Sequence, residues 1–358
     1  MTIDAATDLL ARTAALVDLA SPSRHEQAIV AVLEAELRAH DHLEVTRVGD
    51  NLVARTSLGR AQRVILAGHT DTVPADGNAS ARLDGTRVHG VGSADMKGGL
   101  AVMCALAAEL TAPAVDITYV LYAREEVAAV ESGLGELFAL RPDLLTGDVA
   151  ILGEPTDAVI EAGCQGTLRI RISLAGARAH TARPWMGRNA VHRLAGVLAV
   201  LDTYDARRVT IDGCEFREAL QAVAVEGGVA GNVVPDAASV TVNFRFAPDR
   251  TTEGAIDHVR SLFADVLDEG DGFEVLDAAD AAAPGLTHPL LGDLVARSGG
   301  TVLAKLGWTD VARFAAHGVP AVNFGPGDNT IAHTAGEYLD RAPLERVHAV
   351  LVGLLTGA

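Results

Sequence analysis

The sequence predicts an α/β domain, a mixed and largely parallel sheet flanked by helices, interrupted by an inserted α+β module. Three observations predict it. Short apolar strands alternate with amphipathic helices through the first half of the chain. Near residue 170 the pattern changes to half-buried, alternating strands, and after the Ala/Pro/Gly segment Ala281–Gly285 the first pattern resumes. The expected domains are therefore 1–171 joined with 284–358, and an insert at 172–283.

Each element follows from its spacing. Ala5–Leu19 carries apolar residues at helical intervals and is stopped by Ser21-Pro22-Ser23. Glu26–Leu37 is a second amphipathic helix, and Leu43–Ala54 reads as paired strands around Gly49-Asp50-Asn51. Val64–Ala67, Asp116–Ala123 and Val149–Leu152 are strand-length apolar runs, and Gly98–Leu110 is a helix. In the insert, Thr167–Leu174 and Val240–Ala247 alternate as strands, while Ala190–Leu201 and Thr252–Leu267 are helical. A helix, the segment Val311–His317, the strand Pro320–Phe324 and a last helix near Leu344–Leu355 complete the chain.

Composition narrows the functional classes. With 47 acidic against 29 basic residues the net charge is −18, a surface that repels phosphate backbones, so nucleic acid is not an expected partner. No apolar run approaches the ~18 residues of a membrane span, and Met1-Thr2-Ile3-Asp4 does not begin a secretory leader. Neither membrane nor export is expected. The three cysteines, Cys104, Cys164 and Cys214, are odd in number and widely spaced, which fits a reducing cytoplasm.

Several carboxylates and two histidines stand at the ends of apolar strands, where solubility alone does not place them. Gly68-His69-Thr70-Asp71 closes the strand Val64–Ala67, and ligands of open α/β sheets bind beyond such strand ends. Asp71 is placed to hold the free nitrogen of a metal-bound His69. Asp95 lies in a glycine-rich turn before the helix at Gly98; it fits a helix cap or a bridge between two cations, and both readings stand. Glu125-Glu126 follows the strand ending at Ala123, where adjacent like charges call for a nearby cation. Their side chains diverge, so one can ligate while the other faces an attacking water. Glu154 ends a third strand, and His333 follows Pro320–Phe324 in a glycine-rich loop. A mixed histidine and carboxylate set without cysteine suits zinc or a similar divalent ion in a catalytic site.

The ordered motifs His69-Thr70-Asp71, Asp95-Met96-Lys97-Gly98-Gly99, Glu125-Glu126, Gly153-Glu154-Pro155 and Ala332-His333 resemble the dinuclear zinc aminoacylase and carboxypeptidase family. The insert, with Gly176-Ala177-Arg178-Ala179-His180-Thr181-Ala182-Arg183-Pro184, resembles that family's lid and dimerisation domain. The resemblance covers essentially the whole chain. It implies two Zn2+ per subunit, with Co2+ able to substitute: His69, Asp95 and Glu154 on one ion, Asp95, Glu126 and His333 on the other. It implies that Asp71 orients His69, that Glu125 is the general base, and that His180 stabilises the tetrahedral oxyanion. A homodimer is implied in the same way.

Longer stretches, among them Ser21-Pro22-Ser23-Arg24-His25-Glu26, Gly228-Val229-Ala230-Gly231-Asn232 and Val242-Asn243-Phe244-Arg245-Phe246, resemble succinyl-diaminopimelate desuccinylases of high-GC Gram-positive bacteria. That resemblance implies amide hydrolysis of a small acylated amino acid, N-succinyl-L,L-2,6-diaminopimelate, with acetylornithine deacetylase or broader aminoacylase and carboxypeptidase action as the alternative. Three substrate carboxylates call for arginines, and Arg178, Arg183, Arg245 and Arg313 lie in suitable segments. Asn232, Thr309 and Asn329 are the expected polar partners, and Arg245 is favoured because it alternates with Phe244 and Phe246 on one strand.

Overall fold

The computed structural model describes residues 8–358. In chain order the first elements are α1 (Leu9–Val17), α2 (Gln27–Arg38), β1 (Glu44–Val48), β2 (Asn51–Arg55), β3 (Arg63–His69), β4 (Arg82–Asp84), β5 (Arg87–His89), α3 (Gly98–Glu109), β6 (Asp116–Tyr122), α4 (Gly133–Leu140), β7 (Val149–Leu152) and β8 (Ile160–Ala162). There follow β9 (Gly166–Ala175), α5 (Ala190–Asp202), β10 (Arg208–Ile211), β11 (Cys214–Arg217), β12 (Ala219–Gly227), β13 (Ala237–Phe246), α6 (Thr252–Leu262) and β14 (Gly272–Ala279). The chain ends with α7 (Pro289–Ser298), β15 (Val302–Ala304), α8 (Val311–Ala316), β16 (Ala321–Asn323), β17 (Tyr338–Asp340) and α9 (Arg341–Thr356). The first expected helix begins at Leu9; positions 5–7 of that reading lie outside the described residues.

Two compact units result. The first comprises Met1–Ala162, Pro284–Leu303 and Arg313–Ala358, and the second Gly163–Ala283 with Ala304–Ala312. A seam between 171 and 172 would cut β9 in half. The whole of that strand pairs with β13, from Ala175 opposite Ala237 to Gly166 opposite Phe246, so all of it stays with the second unit.

The first unit is built on an eight-stranded sheet in the order β1-β2-β6-β3-β7-β16-β8-β15. Its centre is parallel: β3 pairs with β6 and β7, and β16 with β7, while β1, β2 and β8 join antiparallel. Central strands buried on both faces read as continuous apolar runs, and every residue of β6 and β7 is buried. Helix α3 is buried from Gly98 to Ala107, apolar on all sides. A small sheet, β17-β5-β4, lies apart from the main one.

The second unit is a four-stranded antiparallel sheet, β12-β13-β9-β14. Strict alternation puts Leu168, Ile170, Ile172 and Leu174 of β9, and Val240, Val242, Phe244 and Phe246 of β13, on one buried face. Leu194, Val197 and Leu201 of α5, with Ala255, Val259 and Phe263 at α6, complete that core. Among the described residues no helix is long and apolar enough to cross a membrane.

Candidate metal centre

The four central parallel strands all deliver chemistry at their carboxyl ends, where peptide dipoles and loops converge. His69 is the last residue of β3, Glu125 and Glu126 follow β6, Glu154 follows β7, and His333 lies in the loop after β16. Asp95 enters from the turn before α3. Its φ of −122° and ψ of 96° are not helical, and the residue at the cap position is Lys97. The capping reading of Asp95 therefore falls. Its carboxylate instead faces His69 Nε2 at 3.0 Å and His333 Nε2 at 3.4 Å. His333 Nε2 is also 2.7 Å from Glu126 Oε1, and the candidate ligand atoms of His69, Asp95 and Glu126 lie within 4.8 Å of one another. Glu154 is buried, and the charges of Glu154 and Glu125 both act on the His69 ring.

Asp71 is wired differently from the expectation. His69 Nδ1–H donates to the Asp71 carbonyl at 3.0 Å, while the Asp71 carboxylate stands 3.6 Å off. That carboxylate accepts the N–H of Glu125 at 3.0 Å, the N–H of Glu126 at 3.1 Å and the hydroxyl of Ser23 at 2.7 Å. Asp71 thus orients His69 through its backbone and the Glu125-Glu126 turn through its side chain. Fixing the proton on Nδ1 leaves Nε2 as the nitrogen available to a cation.

Backbone approaches close the site from the other side. A Cβ on Gly325 would meet the Gly153 carbonyl oxygen at 2.2 Å, and one on Gly99 would meet the same oxygen at 2.4 Å. Glycine at both positions lets the β7 exit, the β16 exit and the start of α3 pack backbone against backbone.

The donor set fits a divalent cation. Two imidazoles and four carboxylates converge, and a cluster so rich in acid is stable when positive charge compensates it. Without metal the imidazoles supply that charge. Hydrogen bonds with Asp95 and Glu126 push the His333 pKa up to about 10. Burial opposes charge on His69, yet the hydrogen bond with Asp95 and the charges of Glu154, Asp95 and Glu125 raise it well above its ordinary value. Burial likewise opposes ionised Asp95, but its hydrogen bonds with His333 and His69 hold its pKa well below the carboxylate range. A cation needs both rings neutral, so uptake expels their protons and affinity rises with pH up to the His333 value. Titration calorimetry of metal into metal-free protein near neutral pH, in buffers of different ionisation heat, should show release of about two protons per chain. Proton-neutral uptake would contradict it.

The other expected site residues divide between the units. Arg313 and Asn329 belong to the first. The Arg313 guanidinium donates to the Ala129 carbonyl at 2.9 Å, supporting the segment after Glu126, and Asn329 donates to Glu161 at 3.4 Å. His180, Arg178, Arg183, Asn232, Arg245 and Thr309 belong to the second. His180, Arg183 and Asn232 are exposed, Thr309 is buried, and exposed Arg178 pairs with Asp236 at 2.7 Å. Arg245 is half-buried, and among the described residues its guanidinium has no ion pair or hydrogen bond. Residues absent from the expected site also shape it. Ser23 holds Asp71, Glu26 accepts the N–H of Arg124, and Glu337 accepts the N–H groups of Ala94 and Asp95 at 2.9 and 3.1 Å. Their signal is faint: a serine and a glutamate in the Ser21–Glu26 stretch, and an acidic residue just after the loop that carries His333.

Fold and site together define a metal-dependent hydrolase. Residues 65–357 match Peptidase family M20/M25/M40, and the chain belongs to that family. A Mycobacterium tuberculosis protein that carries the provisional name succinyl-diaminopimelate desuccinylase is 52% identical, over 98% of this chain and 97% of its own. The succinyl-diaminopimelate desuccinylase of Corynebacterium glutamicum is 44% identical over 96% of this chain and 94% of its own. The crystal structure of a Staphylococcus aureus tripeptidase superposes with a TM-score of 0.81, covering 99% of both chains at 21% identity, a likeness of fold.

Proposed function

We propose that this hydrolase cleaves N-succinyl-L,L-2,6-diaminopimelate to succinate and L,L-2,6-diaminopimelate, a step of diaminopimelate and lysine biosynthesis in the cytoplasm. The observation that carries the reading is the 44% identity to the C. glutamicum desuccinylase over nearly the full length of both chains. Free, buried cysteines agree with a reducing compartment.

His69, Asp95 and Glu154 would hold one Zn2+, and Asp95, Glu126 and His333 a second, with Co2+ able to substitute. When bound, such ions supply an activated nucleophile at neutral pH and stabilise negative charge on the attacked carbonyl oxygen. The chain does the rest. Glu125 takes a proton from the attacking water and returns it to the departing amine nitrogen. His180 donates a hydrogen bond to the developing oxyanion. Arg245 is the proposed receptor for a substrate carboxylate: burial and neighbouring Arg169 disfavour its charge more than Cys164 and Asp277 support it, and among the described residues no ion pair holds its guanidinium. Arg178, Arg183, Asn232, Thr309, Arg313 and Asn329 are proposed polar neighbours of the substrate, with Arg178 and Arg313 also committed to protein partners.

A homodimer is part of the proposal. β12 is an edge strand whose residues from Gln221 to Gly227 are exposed, with Val223 57% and Val225 53% accessible. An open apolar edge of this length favours pairing with another chain.

The test is a two-substrate assay on metal-analysed protein sized by light scattering. Succinyl-diaminopimelate should be strongly preferred to acetylornithine, on particles with the mass of two chains. Arg245→Met should raise KM for the succinyl compound about 10- to 100-fold with a smaller change in kcat. Preference for acetylornithine would overturn the substrate.

A further inference from the structure

The segment Ser21–Glu26 precedes the residues that match the family, yet it reaches the candidate centre. Ser23 N–H donates to the Thr72 carbonyl at 3.1 Å and Thr72 N–H to the Ser21 carbonyl at 2.9 Å, lacing this loop to the chain leaving β3. Glu26, at its end, is fully buried. Its Oε1 accepts two backbone N–H groups, from Arg24 at 3.0 Å and from Arg124 at 3.1 Å. Both donors are non-glycine residues in the left-handed region, with φ of 72° at Arg24 and 62° at Arg124. L-residues persist there only when surrounding bonds over-determine the turn. Glu26 Oε2, by contrast, has no hydrogen-bond partner among the described residues. A buried carboxylate half satisfied in this way costs stability, so its retention calls for a role beyond packing.

That role lies one residue further on. The left-handed turn at Arg124 swings the chain off β6 so that the N–H groups of Glu125 and Glu126 both reach the Asp71 carboxylate. Asp71 holds those two residues and Glu26 holds the residue before them, so two buried carboxylates fix three successive amides. We infer that Glu26 is a positioning residue for hydrolysis, a buried acceptor that locks the turn after β6 and so fixes Glu125 against the ligand cluster. The inference deepens the proposed function and rests on Glu125 as the base.

Two variants of the full chain test it. Glu26→Met keeps volume and removes the acceptor; Glu26→Gln removes charge and keeps an acceptor oxygen. By hydrogen exchange, Glu26→Met should lose protection at the amides of residues 124–126, with native protection elsewhere. Its kcat should fall roughly 10- to 100-fold while KM and metal content stay within about threefold. Glu26→Gln should keep both protection and kcat within about threefold. Unchanged exchange at 124–126 in Glu26→Met overturns the inference, as does faster exchange there with unchanged kcat. If Glu26→Met does not fold, a folded Glu26→Gln protein with a tenfold or larger loss of kcat overturns it. If the wild-type protein fails to hydrolyse the succinyl substrate, the substrate assignment fails, and the exchange measurement still decides whether Glu26 locks the turn.

Discussion

Glu125→Gln should lower kcat by roughly 10²- to 10⁴-fold while bound metal, by elemental analysis, stays at the wild-type level. The separation follows from the turn after β6. Successive side chains diverge there, and Glu126 is the one whose Oε1 meets His333 at 2.7 Å. Glu125 is half-buried, its N–H fixed by Asp71 at 3.0 Å, and it stands near enough to His69 for its charge to act on that ring. An amide of the same shape keeps the turn and the ligands but cannot accept a proton. A variant that retained kcat within tenfold would place the base elsewhere.

Asp95→Asn should be more damaging still, because it strikes metal retention and turnover together. Among the described residues Asp95 is the one carboxylate paired with both imidazoles, through Oδ1 to His69 and Oδ2 to His333. An asparagine offers one neutral oxygen in place of two anionic ones, so it cannot bridge two cations. We expect loss of at least one ion on dialysis and a fall in kcat/KM on the order of 10³-fold or more. The metal-free variant provides a second reading. With Asp95 neutralised, histidine titrations followed by NMR should move down from the raised values, His333 keeping only its support from Glu126. Full metal occupancy in the variant would remove Asp95 from the bridging position.

How much of this was legible depended on whether a residue's role is written in apolar spacing. β3, β6 and β7 announced themselves because fully buried parallel strands are continuous apolar runs, and His69, Glu125, Glu126 and Glu154 were conspicuous as polar residues ending them. β4, β5 and β17 have three residues each, too few to show a period. β12 escaped notice because Val223 and Val225 are exposed, so its apolar residues do not mark a buried face. The expected insert at 172–283 begins at Gly163 in the structure, because alternation in β9 does not reveal which sheet it joins, and Ala304–Ala312 also go with the second unit. Ser23 and Glu26 looked like the punctuation between two helices. Their work is done by hydrogen bonds to residues 48 and 98 positions away, which no local pattern encodes. Asp71 was recognised as important, but which of its oxygens serves His69 depends on backbone geometry at the strand end.

The position of β16 has a consequence for how the molecule is made. It lies between β7 and β8, both synthesised long before it. On the ribosome the nascent sheet therefore waits with a slot open, and the acidic residues at 95, 125, 126 and 154 wait with it, short of one of their two imidazoles. At ordinary elongation rates the interval between Glu154 and His333 is roughly 10–35 s. If His333 is a ligand as proposed, completing the metal site is a late event in the life of each chain, following insertion of a three-residue strand near its end.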